Sequence, residues 1–123
     1  MTIYRIKLPY ATPPLHANRR FGNRHQKARI TGEVRRAACW LSRSAKIGAH
    51  PRVIVGLEWR PKTRRTRDGG ENLAPLLKAL IDGAITDAGV CPDDDPEHVE
   101  RRMPVLLPVG EGDPGMWLVV ETP

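Results

Sequence analysis

An apolar stripe with helical spacing in the second half of the chain constrains the fold most strongly. Between Asn72 and Ala88, leucine, isoleucine and alanine recur every three or four residues, and polar residues take the opposite side. Asn72 suits the N-cap, and Pro75 falls in the first turn, where its missing N–H costs little. Gly89 is a typical helix stop. The pattern therefore predicts one long helix with a single buried face.

Shorter segments around this helix have other periods. Thr31 can cap a second helix that starts near Gly32 and ends at Gly48. Residues 9–29 show neither the helical nor the strand period and are predicted to form a basic loop. Alternation of apolar and polar residues predicts strands at 4–8, 53–59, 98–102 continuing toward 105–107, and 116–121. The order β, loop, α, β, α, β, β predicts a single α+β domain over residues 1–123, with a small mixed sheet and two main helices.

The formal charge of the chain divides sharply after residue 67. Residues 1–67 hold 17 Lys and Arg against two Glu (+15), whereas residues 68–123 hold 3 basic against 12 acidic residues (−9). A basic half indicates a polyanionic partner, most commonly nucleic acid, although a merely solvated basic surface is the alternative. Carboxylates on a DNA-binding protein repel phosphate unless a cation lies between them. The combination favours metal-dependent phosphodiester chemistry over plain binding.

Cysteine usage and hydropathy limit the class of protein further. The chain has two cysteines, Cys39 and Cys91, which indicate reduced thiols and not a disulfide framework or a zinc site. No apolar run approaches the roughly 20 residues of a membrane span, and the N-terminus lacks a signal-peptide core. We therefore expect a cytoplasmic protein with no membrane partner.

Acidic residues stand at both ends of the predicted long helix, within a candidate active-site segment at residues 64–95. Asp68 and Glu71 precede the helix, and Asp93 and Asp94 follow it. Their oxygens are the ligands that Mg²⁺ prefers, and nucleases hold such ions with a few carboxylates. The helix spans about 25 Å, so the two groups meet only if the chain doubles back. Surface solvation or helix capping is the alternative explanation of the same acids.

Basic candidates lie on the helix and in two segments before it. Lys78 lies about two turns along the same polar edge as Glu71, a position that also suits an ordinary exposed helix lysine. Asp82 is expected to pair with Lys78 at i,i+4 and not to bind metal. The predicted DNA-contacting residues are Asn18, Arg19, Arg20, Arg24, Lys27 and Arg29 in the 9–29 loop, and Arg64, Arg65 and Arg67 before the acids.

The order of these motifs resembles the RusA family of Holliday-junction resolvases of phages and prophages. The family pattern is a basic run, Asp-x-Asp-Asn-Leu, a helix ending in Ala-Gly, and then Asp-Asp. The chain shows Arg67-Asp68, Glu71-Asn72-Leu73, Ala88-Gly89-Val90 and Pro92-Asp93-Asp94, together with an N-terminal YRIKLP strand, a Pro-Pro turn and a PRVIVGL strand. The chain departs from the pattern at Asp68-Gly69-Gly70-Glu71, which is one residue longer and ends in Glu.

The resemblance implies a RusA-like fold and a Mg²⁺-dependent endonuclease, a hydrolase that resolves Holliday junctions or other branched DNA by paired nicks in recombination and repair. It implies that Asp68 and Asp94 are metal-binding catalytic aspartates, that Asp93 is their acidic neighbour, and that Arg67 lies beside the site. The family's lysine in the first helical turn is displaced here: Pro75 stands near that place, and Lys78, one turn later, is the candidate that stabilises the transition-state phosphate. Glu71 is expected as a further ligand, and Mn²⁺ is a second candidate ion.

The resemblance also implies a homodimer in the cytosol of a bacterium or a phage-infected host. Two other functions remain open. The first is a junction- or duplex-binding protein of the same fold with reduced or lost cleavage, which the longer Asp68–Glu71 spacing suggests. An RNA-binding module ranks below both, since the chain has no aromatic stacking motif.

Overall fold

In a computed structural model, helices cover one face of a five-stranded mixed sheet. The structure describes residues 1–15, 22–63 and 71–123, and of Glu71 only the backbone. The elements are β1 (Thr2–Leu8), α1 (Arg24–Ser44), β2 (Val53–Arg60), a 3₁₀ turn (Glu71–Leu73), α2 (Ala74–Ile81), a π-helical segment (Asp82–Asp87), β3 (Val99–Arg101), β4 (Val105–Leu106) and β5 (Gly115–Thr122). The predicted α+β class, mixed sheet and two main helices are confirmed.

The sheet combines antiparallel and parallel pairs in the order β1-β5-β2-β3. β5 runs antiparallel to both of its neighbours, β1 and β2. β3 and β4 both run parallel to β2 and pair with successive parts of it: Val53 faces Val99, and Glu58 faces Val105. A parallel pair needs a crossover, and α2 with its π-helical continuation provides it. The crossover brings the acidic turn after α2 back to the start of β3.

The core lies between the sheet and the helices. Along β2, every second side chain from Val53 to Trp59 is buried, with exposures of 0–5%. These side chains share one hydrophobic cluster with the leucines of α2, among them Leu76 and Leu80. Full burial of a side chain of this size stabilises the fold by about 1.5–3 kcal/mol. The alternation of β2 and the stripe of α2 therefore face each other, which fixes the opposite, polar edge of α2 toward solvent.

The first helix begins eight residues earlier than the sequence indicates. Asn23 has an extended backbone, and its side chain accepts a hydrogen bond from the Gln26 amide at 2.9 Å, which makes it the N-cap. Thr31, the predicted cap, is inside the helix and donates its hydroxyl to the Lys27 carbonyl at 2.8 Å. The predicted loop over 9–29 is thus wrong for residues 24–29, and the helix ends at Ser44, before Gly48. A polar cap was available at both sites, and the structure uses the earlier one.

The second helix occupies the predicted range but does not keep one geometry. Its N-cap is Leu73, without a side-chain cap bond, in place of Asn72, and Pro75 lies in the first turn as predicted. After Ile81 the helix widens into the π-helical segment. Gly89, at φ +80°, follows the end of that segment, as predicted. The apolar spacing after Ile81 also fits an ordinary α-helix, so the sequence pattern does not reveal the widening.

Candidate active site

The chain doubles back after the π-helical segment, and this brings Asp94 against α2. Gly89 takes a left-handed conformation, and the Val90 amide donates to the Ile85 carbonyl at 2.8 Å. The carbonyl of Val90 then accepts from the His50 amide at 2.8 Å, which ties the returning chain to the segment before β2. The turn that follows carries Asp94 to the polar edge of α2 before β3 begins.

Lys78 lies between two carboxylates at this point. Its Nζ is 2.8 Å from Asp82 Oδ1 and 2.7 Å from Asp94 Oδ2. The pair with Asp82 is the predicted i,i+4 pair. The bond to Asp94 joins residues that are 16 positions apart. Lys78 keeps 52% of its side-chain surface exposed, so the pair lies at the protein surface.

Asp94 carries a second cation on the same oxygen. Arg101 Nη2, from β3, is 2.8 Å from Asp94 Oδ2. The Asp94 amide donates to Asp93 Oδ1 at 2.7 Å, so the neighbouring acid fixes the backbone of the turn. The Asp94 side chain is 24% exposed. A partly buried carboxylate between two cations is thus the centre of the described part of the site.

The electrostatics keep both principal groups ionised. The hydrogen bond from Lys78 lowers the pKa of Asp94 below its usual value, with further lowering by Asp93 and by the charge of Arg101. The hydrogen bonds to Asp82 and then to Asp94 raise the pKa of Lys78. At neutral pH the carboxylate is therefore an acceptor and not a proton donor. Such a pair suits ligation of a cation and charge stabilisation of a phosphate better than general acid catalysis.

The structure describes some, but not all, of the site residues that were predicted from the sequence. Asp94 and Lys78 lie together, and Asp93 is an exposed neighbour. Asp68 and the side chain of Glu71 lie outside the described residues, so convergence of all the predicted carboxylates stays a prediction. Among the predicted DNA-contacting residues, Arg24, Lys27 and Arg29 are exposed in the first turns of α1. Asn18, Arg19, Arg20, Arg64, Arg65 and Arg67 also lie outside the described residues.

Sequence reasoning missed Arg101. The HVERR stretch shows strand periodicity, so successive side chains are expected to alternate between the two sides of β3. This alternation does not show which arginine meets Asp94. The parallel register with β2 decides this, because it pairs Arg101 with Val55 and Glu100 with Ile54. No local signal in the sequence could have identified Arg101.

The donor chemistry of the segment fits a hard divalent cation. Carboxylate oxygens are the ligands Mg²⁺ and Mn²⁺ take, and Asp94 offers one that the fold already holds in place. Within the described residues, no group of three His, Cys, Asp or Glu side chains gathers where it could hold an ion. The further predicted ligands, Asp68 and Glu71, are the residues whose side chains lie outside that part of the chain.

Comparisons with known proteins leave the family open. No protein-family model matches the chain, and no curated protein sequence matches it significantly. Across the described residues, no helix is long and apolar enough to cross a membrane.

Proposed function

We propose that the protein is a Mg²⁺-dependent endonuclease of the RusA resolvase type that cleaves branched DNA, with a four-way junction as its substrate class. The observation that carries this proposal is the contact between Asp94 and Lys78 across 16 residues, which sets an ionised carboxylate beside a lysine whose side chain is about half exposed. In phosphodiester hydrolysis a carboxylate holds the metal and a nearby cation offsets charge on the phosphate.

Each residue has a separate task in this proposal. Asp68, Glu71 and Asp94, supported by Asp93, hold Mg²⁺ or Mn²⁺. When bound, such an ion polarises the phosphoryl oxygen and lowers the pKa of the attacking water. Lys78 stays protonated, because two carboxylates raise its pKa, and it therefore brings a full positive charge to the phosphate.

The charge division of the chain supports a nucleic-acid substrate. The basic half contributes the phosphate contacts, including Arg24, Lys27 and Arg29 on the first turns of α1. These contacts depend on salt and not on base sequence. A four-way junction has two-fold symmetry, so paired nicks call for two chains related by a two-fold axis. A homodimer in the cytosol of a bacterium or a phage-infected host fits these requirements.

A nicking assay on a synthetic four-way junction tests the proposal. The unmodified protein with Mg²⁺ should cut the junction, and Asp94→Asn should lower the rate by more than about 100-fold, since loss even of an outer partner of a metal costs 10–100-fold. Asp113→Asn is a matched control, because Asp113 lies in an exposed turn before β5. Binding without nicking by the unmodified protein would refute the proposal, and nicking that survives Asp94→Asn would refute the site.

A DNA-binding protein that has lost cleavage is the second candidate. Two observations favour it: Lys78 and Arg101 already occupy Asp94 Oδ2, and the Asp68-Gly69-Gly70-Glu71 spacing is one residue longer than Asp-x-Asp. Mg²⁺ demands near-ideal octahedral geometry, so a displaced ligand lowers affinity. In that case the junction binds with the same salt dependence with and without Mg²⁺ and is recovered intact.

A further inference from the structure

An open cleft lies directly beside Asp94 and is bordered by two arginines. It has a volume of about 460 Å³, and its lining includes Asp94, Arg101, Arg52 and Glu100. Arg52 pairs with Glu100 at 3.3 Å, with both side chains about half exposed. Arg101 turns instead to Asp94 and keeps 39% of its side-chain surface exposed. Both members of the Asp94–Arg101 pair therefore border a cleft that is open to solvent.

The two cations on Asp94 are not equivalent. Lys78 has a second acid, Asp82, at 2.8 Å, so it keeps a charged partner if it loses Asp94. For Arg101, Asp94 is the sole acidic partner in the described part of the chain. A divalent cation that takes Asp94 must compete with both groups for the same Oδ2. Of the two, Arg101 is the one that would then have no anionic partner among the described residues.

We propose that Arg101 is an exchangeable counter-ion: it holds Asp94 in the metal-free protein and turns to a DNA phosphate when a divalent cation takes Asp94. The inference rests on the proposed function and assigns one more residue to its site. A guanidinium group suits this exchange, since its planar fork bonds carboxylate and phosphate in the same bidentate manner and stays charged at all working pH values. The cleft gives the phosphate a route to it.

Arg102 provides a matched control one residue away. It follows the end of β3 and pairs with Glu121 at 3.4 Å and with Glu100 at 3.9 Å. It lines a separate depression over Gly56 on the outer face of the sheet. It carries the same charge as Arg101 and a similar exposure, 57% against 39%, but it has no contact with Asp94.

Titration of the DNA-free protein with Mn²⁺ is the first test. Arg101→Gln removes both a competitor for Asp94 Oδ2 and a positive charge beside the ion, so Mn²⁺ should bind about tenfold more tightly. Arg102→Gln should leave the Mn²⁺ affinity within about twofold, and Asp94→Asn should weaken it. A purely structural role of Arg101 predicts weaker or unchanged binding. Unchanged or weaker Mn²⁺ binding by Arg101→Gln would overturn the inference.

Junction nicking with guanidinium rescue is the second test. Arg101→Ala should lose about 100-fold or more in kcat, as for removal of one charge-stabilising donor, with little change in Kd for the junction. Added guanidinium hydrochloride should restore part of that rate and should not speed up Arg102→Ala. Normal kcat in Arg101→Ala, or a loss confined to Kd, would overturn the phosphate role.

The two tests separate this inference from the function on which it rests. If the unmodified protein fails to nick while Arg101→Gln binds Mn²⁺ more tightly, the nuclease proposal and the phosphate role fall and the competition at Asp94 stands. If the unmodified protein nicks and Arg101→Gln leaves Mn²⁺ affinity unchanged, the nuclease proposal stands and the exchange is refuted.

Discussion

Replacing Gly83 by alanine should separate α1 from the π-helical segment and destabilise the protein. A Cβ at this position would lie 2.2 Å from the Arg35 carbonyl oxygen and 2.9 Å from the Ala38 methyl carbon, whereas ordinary contact begins at 3.4 Å. The nearest atom belongs to a helix backbone, so it cannot rotate away. One of the two helices must therefore move by about 1 Å, at a place where both are closely packed.

The expected loss is about 2 kcal/mol of unfolding free energy. Overpacking costs about 1–3 kcal/mol, and a backbone clash belongs at the upper end of that range. The higher helix propensity of alanine offsets about 1 kcal/mol of this cost. For a chain of this length the difference corresponds to a melting temperature about 8 °C lower.

Urea denaturation followed by circular dichroism and tryptophan fluorescence measures this loss. Gly32→Ala in α1 is the control, because its Cβ would meet only the movable end of Arg36, at 3.3 Å. That variant should be unchanged or up to about 1 kcal/mol more stable. A Gly83→Ala protein as stable as the unmodified one would show that the helices do not approach as closely as described.

Two further predictions concern the same helix pair and the acidic turn. Ser42→Ala should cost about 1–2 kcal/mol in urea denaturation, since the buried Ser42 hydroxyl donates to the Ala84 carbonyl at 2.7 Å and that oxygen would lose its partner; an unchanged free energy of unfolding would argue against the bond. The hydrogen bond to Asp95 raises the pKa of His98 above 6.5, so protonated His98 stabilises the fold fully below that unfolded value. The stability difference between the unmodified protein and His98→Gln should then shrink as pH rises through the raised pKa, and a difference that grows with pH would contradict this assignment.

Local patterns were sufficient for most of the fold. The alternation in β2 predicted its buried side chains correctly, and the apolar stripe after Asn72 predicted both the extent of the second helix and its buried face. The start of α1 was predicted wrongly, because Asn23 and Thr31 are both good caps and the sequence contains no measure of which one the packed helix uses. Because of this error, three predicted DNA-contacting residues, Arg24, Lys27 and Arg29, were assigned to a loop, although they lie on the helix.

The site could be predicted only in its composition. The acids on either side of the second helix and the lysine on its polar edge are visible in the sequence, as is the i,i+4 pair of Lys78 with Asp82. Their assembly is not visible, since it depends on a return of the chain through Gly89 and on bonds to residues far away in sequence. The roles of Asp68 and Glu71 stay predictions that the nicking assay and metal titration address.

The sequence by itself determined the elements and the charge. Periods of two and of 3.6 residues act within a few positions and are read directly from the residues, and the division between a +15 half and a −9 half needs no coordinates. Tertiary structure alone decided that Asp94 meets Lys78, that Arg101 and not Arg102 shares its oxygen, and that the second helix widens where Gly83 lies against α1. These contacts join distant parts of the chain, and their geometry follows from the parallel register of β2 and β3 and from helix packing, which no local pattern encodes.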